Sequence, residues 1–213
     1  MAPVKIKKSE ICAERRIFEA AKSVFISKGF DGASMENIAA AAGVTRTSLN
    51  YYFRSKEKLF SAVFRDVIGG FLPKVEGAAL AKAPIFKRME NVVKIYTDML
   101  LQNPGILIFM ANESNKNPGR YFEILRSTPE FLAAAERIGA EIKRNMGNGK
   151  LRKMPLEYFA TAFFGLLFFP FFGRNMICGI FFDGDGARFE NFILERGKFV
   201  VDSMKSIFNP KRK

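Results

Sequence analysis

Between Ser34 and Leu59 the apolar positions fall into two short helical stripes separated by a glycine. Met35, Ile38, Ala39 and Ala42 recur at i, i+3, i+4 and i+7, one face of a short helix. Gly43 suits the left-handed position just past its end. Thr45 is a good N-cap for a second helix, Arg46 to about Phe53, on which Leu49 and Phe53 lie one turn apart and face inward. Opposite Leu49, at roughly 100° per residue, stand Thr47, Asn50 and Tyr51. Ser55 then caps a helix opening at Lys56. Two short helices joined by a tight glycine turn, the second polar outside, form a helix-turn-helix pattern.

The same period organises the rest of the chain. Upstream, a helix from about Glu10 to Lys28 buries Ile17, Ala21, Val24 and Phe25 and stops at Gly29. Ile17, Phe25, Ile38, Leu49, Phe53 and Phe60 are the expected N-terminal core. The helix from Lys56 is expected to reach about Phe71, where Gly69, Gly70 and Pro73 loosen it, with 72–84 a loop. Further helices are predicted over 85–102 (Met89, Val92, Val93, Tyr96, Met99 and Leu100 inward), 105–116 and 121–126. The helix opening at Pro129 has Phe131, Ala135, Ile138, Ile142 and Met146 on one face. Pro155 opens the eighth helix, almost wholly apolar from Phe159 to Phe182 and kinked near Pro170. The ninth, about 187–208, carries Phe189, Phe192, Ile193, Phe199, Val200, Met204 and Ile207 inward. The fold class is all-α with about nine helices. The boundary is placed near residue 58, giving an N-terminal helix-turn-helix domain 1–58 and a second helical domain 59–213.

Composition narrows the chemistry. The 213 residues include 48% hydrophobic positions, enough for a sizeable core. The formal net charge of +13 suits a polyanionic partner, yet residues 1–60 carry only +5 of it. The local arrangement therefore carries the argument. There is no histidine, which removes His-based triads, bases and metal ligands together. Cys12 and Cys178 have no CxxC spacing, so neither a zinc site nor a disulfide framework is indicated, and a reducing cytoplasm fits. No cofactor and no metal are expected, and an enzyme has only scattered carboxylates such as Glu113 to rest on. Residues 1–9 are read as a basic, solvated arm with DNA contact as its alternative, and Lys211 to Lys213 as a solvated tail. Asp183-Gly184-Asp185-Gly186 lacks the later ligands of a calcium loop, Ala187 and Leu194 standing in their places, and reads as a turn.

The outward set Arg46, Thr47, Ser48, Asn50, Tyr51, Tyr52, Arg54 and Lys56 has no acidic member. Helix-glycine-helix corners occur in many all-α proteins, but such a face offers hydrogen bonds to base edges and cations to phosphates. The expected DNA-contacting residues are Ser34, Asn37, Thr45, Arg46, Thr47, Ser48, Asn50, Tyr51, Tyr52 and Lys56. Ile38-Ala39, Ala42 to Thr45, Leu49, Tyr52-Phe53 and Lys56 to Leu59 resemble the N-terminal signature of TetR/AcrR-type transcriptional regulators. Arg16-Ile17, Ala20-Ala21, Phe25 and Gly29-Phe30 resemble that family's first helix. The resemblance covers about residues 10–64. It implies a repressor released from a palindromic operator by a small ligand, a phosphate-contacting role for Lys56, and an all-helical ligand-binding and dimerisation domain. Asn50 and Thr47 stand where the family often has Tyr and Gly or Pro, so no operator sequence carries over.

Two further expectations concern the second half. The eighth and ninth helices expose more apolar surface than one domain can cover, so a homodimer is expected through them. A pocket is expected where Tyr96 and Met99, Met110 and Asn112, and Phe163 and Leu167 converge, for a largely apolar effector; the alternative is plain core. The basic cluster Lys143, Arg144, Lys150, Arg152 and Lys153 reads as a solvated helix end, with an anion site as its alternative. The competing reading of the whole chain is a membrane-associated protein using residues 159–182, but Arg174 and Asn175 leave only a short apolar run before them.

Overall fold

The computed structural model describes residues 8–210, with side chains from Ala13 onward; the rest of the expected N-terminal arm, the Cys12 side chain and the tail 211–213 lie outside this range. Among the described residues there are eleven helices and no strand. They are α1 (Lys8–Gly32), α2 (Met35–Ala42), α3 (Arg46–Tyr52), α4 (Lys56–Leu80), α5 (Ile85–Gln102) and α6 (Gly105–Lys116). α7 (Pro118–Arg126), α8 (Pro129–Gly147), α9 (Leu156–Phe172), α10 (Arg174–Phe182) and α11 (Gly186–Phe208) complete the chain. Lys8 and Ser9, expected in the arm, open α1.

Two compact units share these helices. One comprises residues 1–68 with 108–127, the other 69–107 with 128–213. Compact packing thus carries the first unit past the boundary placed at residue 58, to Ile68, and adds Ile108–Ser127 to it. The reason is aromatic packing. Phe60 and Phe64 of α4 belong to the first unit's core, and Phe109 of α6 enters it, 5.7 Å from the Phe60 ring centre. Tyr121 of α7 stands edge-on to Phe64 at 5.4 Å. With Phe25 and Phe30 each edge-on to Phe60 at 5.1 Å, the small N-terminal core is built around Phe60. Phe53, expected inside, is only half-buried and caps α3 instead.

The first unit also contains a buried charged clamp. Gly29 interrupts α1 at φ 70°, ψ 179°, a conformation open to glycine, so the regular helix stops where the sequence stops it. The Phe30 N–H freed by that break donates to Glu113 Oε1 at 3.0 Å. Glu113 is 3% exposed and its other oxygen accepts from Arg120 at 2.8 Å. The Arg120 guanidinium lies 3.6 Å over the Phe30 ring. Lys56 Nζ closes the other side, donating to the carbonyls of Phe30 at 3.1 Å and Ala33 at 3.0 Å.

In the second unit α5 and α9 pack on α11, and α8 on α9. Met89, Val92, Val93, Phe159, Phe163, Val200, Met204 and Phe208 form its main core. The helix α4 does not end at Phe71 as expected but runs through Gly69, Gly70 and Pro73 to Leu80. Burial of Val75, with Phe71, Ala78 and Ala79 packed beside it, outweighs the weak local propensity. The apolar run 156–182 is two helices, bent by 72°, and the break falls at Gly173 rather than at Pro170. Pro170 lacks the N–H that would bind the Leu166 carbonyl. Arg196 of α11 supplies the missing donor to that oxygen. No single helix among the described residues is long and apolar enough to cross a membrane; only the bent pair α9 and α10 together has that length and composition. Phe199 and Ile207, expected inward on α11, are exposed. The Asp183–Asp185 turn ends with the Asp185 carboxylate accepting from Ala187 and Arg188 N–H groups as the N-cap of α11.

Removing the Glu113 carboxylate should leave Arg120 and the Phe30 N–H without their acceptor. Glu113→Ala is expected to lower stability by about 3 kcal/mol, read as a shift of the urea midpoint. A midpoint within experimental error of wild type would show the clamp to be dispensable.

Candidate nucleic-acid interface and ligand cavity

In the first unit, α2 and α3 are held by side-chain caps at both starts. Ser34 Oγ accepts from Asn37 N–H at 3.1 Å, and its hydroxyl donates to Asn37 Oδ1 at 2.8 Å. Gly43 ends α2 in the left-handed region at φ 64°, and Val44 N–H returns to Ala39 O at 3.0 Å. Thr45 Oγ1 then accepts from Ser48 N–H at 3.1 Å, and Leu49 is fully buried. Three of the residues expected at DNA thus also hold the turn: Ser34, Asn37 and Thr45.

The outer crest of α3 is open. Arg46, Thr47, Asn50 and Tyr51 are exposed, Tyr51 at 78%, while Ser48 and Tyr52 are half-buried. The Tyr51 ring stands edge-on to Tyr52 at 5.2 Å. Two expectations change here. The face is not free of acid, because Glu36 of α2 forms an ion pair with Arg46. Both side chains are more than half exposed, so the pair is weak and can exchange for a phosphate or a base. Lys56, expected at phosphate, commits two of its three N–H bonds to the Phe30 and Ala33 carbonyls and lies 4.2 Å over the Phe30 ring. Its first role is in the fold. The sequence could not give this, since both partners lie more than twenty residues away.

The second unit carries a partly open cavity of about 350 Å³. Tyr96 and Phe163 line it as expected. Met99, Met110, Asn112 and Leu167 do not. Met99 packs on a separate cluster around Leu100 and Phe171. Met110 and Asn112 belong to the first unit, and Asn112 is exposed. Leu167 lines a smaller pocket of about 10 Å³ beside Arg196 and Val200. The missing walls come from the C-terminal turns of α4 (Leu72, Val75, Ala79) and from α8 (Phe131, Ala135, Ile138, Ile142), with Phe159 and Phe164 of α9. The stripe on α8 was legible in the sequence; its convergence with α5 was not.

One edge of the cavity is polar. Arg88, 5% exposed, donates to the Ala79 carbonyl at 2.9 Å, to Glu141 Oε1 at 2.8 Å and to Asn145 Oδ1 at 3.4 Å. Its Nε finds no acceptor among the described residues. Asn145 Nδ2 returns to Glu141 Oε1 at 2.8 Å, and Arg144 pairs with Glu141 as well. The Arg88 hydrogen bond, seconded by Asn145, holds the Glu141 carboxyl below the usual carboxylate range against the opposing pull of burial. Burial pushes the Tyr96 hydroxyl up to about 12. Arg144 apart, the basic residues at 143–153 are exposed and away from this edge.

Residues 17–63 match the model of the bacterial regulatory proteins of the tetR family. Over 72 residues the chain is 39% identical to the HTH-type transcriptional regulator RutR of Escherichia coli (strain K12), covering 34% of each chain. It is 30% identical over 98 residues to the HTH-type transcriptional repressor NicS of Pseudomonas putida, 46% of each. The matched stretch thus spans about a third of RutR and less than half of NicS. Over nearly the whole length the fold is similar to the fatty acid degradation regulator FadR from Bacillus halodurans, with a TM-score of 0.64 at 17% identity, covering 88% of this chain and 94% of that one.

The cap on α3 gives a local test of how the interface is held. Thr45→Ala should cost about 1 kcal/mol and fray α3, seen as faster amide exchange at Ser48. Unchanged exchange there would mean that burial of Leu49 alone holds the helix.

Proposed function

We propose, for a chain that belongs through its N-terminal domain to the TetR family of bacterial regulatory proteins, a ligand-released transcriptional repressor acting as a homodimer on a palindromic operator. The observation that carries this reading is the exposed crest of α3 on a doubly capped helix-turn-helix. Thr47 and Tyr51 offer a methyl group and a ring to thymine, Asn50 fits adenine, and Arg46, once released from Glu36, fits guanine. Ser48, Tyr52 and the remaining N–H of Lys56 suit the backbone, with Ser34, Asn37 and Thr45 at the turn. The RutR and NicS names, a transcriptional regulator and a transcriptional repressor, point the same way. A regulator of this kind works in the cytoplasm, without catalysis.

The cavity supports the second half of the reading. It is apolar, has one polar edge, and falls in the range of roughly 300–1,000 Å³ that takes small ligands. The helices α4 and α6 each begin in one compact unit and end in the other, so each is a covalent route from the ligand to the DNA-binding module. A ligand need only favour a spacing of the two recognition helices that misses successive major grooves, about 34–36 Å apart. For the dimer, the supporting feature is the apolar surface left open on the last helices. Phe169, Phe172, Met176, Ile180, Phe181, Leu194 and Phe199 are all exposed. A second copy offers the same surface, and an isologous pairing covers both at once.

A gel shift on the DNA upstream of the chain's own gene, with and without candidate ligands, tests the reading directly. Coupling is reciprocal, so a releasing ligand must bind more weakly by the same factor when operator is present. Tyr51→Ala should cost about 1–3 kcal/mol per half-site on that operator and much less on random DNA. Equal loss on both DNAs would mean that α3 docks otherwise. Phe199→Glu, at a position 58% exposed in the single chain, should give monomers or insoluble protein; unchanged dimers in light scattering would place the interface elsewhere.

A further inference from the structure

Taking the cavity as the effector site, we propose that its ligand is a neutral, largely apolar molecule bearing a carbonyl oxygen, which accepts from the Tyr96 hydroxyl, and that carboxylates are excluded. The first argument is charge. The two charged residues on the wall, Arg88 and Glu141, are closed on each other at 2.8 Å. The terminal nitrogens of Arg88 also serve the Ala79 carbonyl and Asn145, and its Nε, which has no acceptor among the described residues, is sealed from the cavity, so no accessible free cation waits for an anion. A ligand carboxylate would have to displace Glu141 from Arg88 or lie against a like charge that the Arg88 hydrogen bond keeps ionised. The first breaks the buried Arg88–Glu141 pair and leaves Glu141 with the exposed Arg144 as its cation, and the second leaves the ligand carboxylate without a cation; both are unfavourable in a site of this polarity.

The second argument is the open donor. The Tyr96 ring is fixed between Phe71, Phe164 and Phe168, at centroid distances of 5.7, 6.1 and 5.3 Å. Its hydroxyl has no hydrogen-bond partner among the described residues, and its ring lies on the cavity wall. With its ionisation pushed up to about 12, it stays a donor throughout the ordinary pH range. The hydroxyl is not among the side-chain atoms sealed away without a partner, so it stands accessible, and because a neutral hydrogen bond is net favourable, a ligand that supplies an acceptor gains over one of the same shape that does not. The rest of the surface, from Val75, Met89, Ile138 and Phe159, offers apolar contact alone.

The experiment compares matched skeletons on the full chain by calorimetry at neutral pH. The probes are para-butylacetophenone, para-butylbenzoate and butylbenzene, together with heptyl methyl ketone and nonanoate as a flexible pair. The ketones should bind tightest, the hydrocarbon next and the acids weakest. Tyr96→Phe keeps the ring and its packing. It should weaken the ketones on the order of 3- to 10-fold, the worth of one neutral hydrogen bond, and leave butylbenzene unchanged. The bound ketone's carbonyl infrared stretch should sit lower in wild type than in the variant. Acids binding more tightly than ketones, or equal losses for ketone and hydrocarbon in Tyr96→Phe, would overturn the ligand class while leaving the effector site in place. No binding by any of the five probes would overturn the effector-site reading itself, and this inference with it.

Discussion

The first unit depends on how the chain leaves α1. At Gly29 the backbone turns out of the helix, and the peptide that follows is gripped on every polar atom. Its N–H goes to Glu113, its carbonyl to Lys56, and its ring lies under Arg120. These three residues come from α6, α4 and α7, far apart in sequence. The position of Phe30 then sets where Ala33 and Ser34 begin α2, and through Gly43 where α3 lies. The face proposed to read DNA, a few exposed side chains, is only as well placed as the helix that carries it. Here that placement traces back to one buried carboxylate and two cations.

The same device recurs in the second unit, where cations finish carbonyls that helices leave open. Arg88 takes the Ala79 oxygen in the last turn of α4, and Arg196 takes the Leu166 oxygen that Pro170 cannot. Burial lowers the Arg196 proton affinity, the opposite of what an ion pair would do, which fits a cation held by a neutral oxygen. Part of the +13 formal charge is therefore structural rather than available to a polyanion. That bears on why the charge balance by itself says little about nucleic-acid binding, and why the proposal rests on the short run 46–52 instead.

Local signals were read well from sequence. The bounds of α5 and α6 follow from their proline and glycine neighbours, and the caps at Ser34, Gly43 and Thr45 act as their residue types require. Signals decided by partners far along the chain were not legible. Nothing near Pro73 says that α4 continues, because the apolar contacts that hold it come from other helices. Nothing near Lys56 says that its ammonium is already engaged, and the acid that answers Arg46 lies on the preceding helix, outside the run that looked purely basic. The cavity shows the same split. Tyr96 and Phe163 were found because their own stripes point inward, while Met110 and Asn112 were misplaced because the chain crosses from one compact unit to the other within α6.

The Arg196 contact has an evolutionary side. Position 170 decides whether the Leu166 carbonyl is satisfied along its own helix or across to another, and position 196 supplies the answer only in the second case. A chain with a non-proline residue at 170 would complete its own ladder, and the carbonyl's second lone pair would still be open to Arg196. A chain that lost Arg196 first would strand the oxygen. The dependence thus runs one way: with proline at 170 the oxygen relies on Arg196, whereas with any other residue there it has its own helix to fall back on.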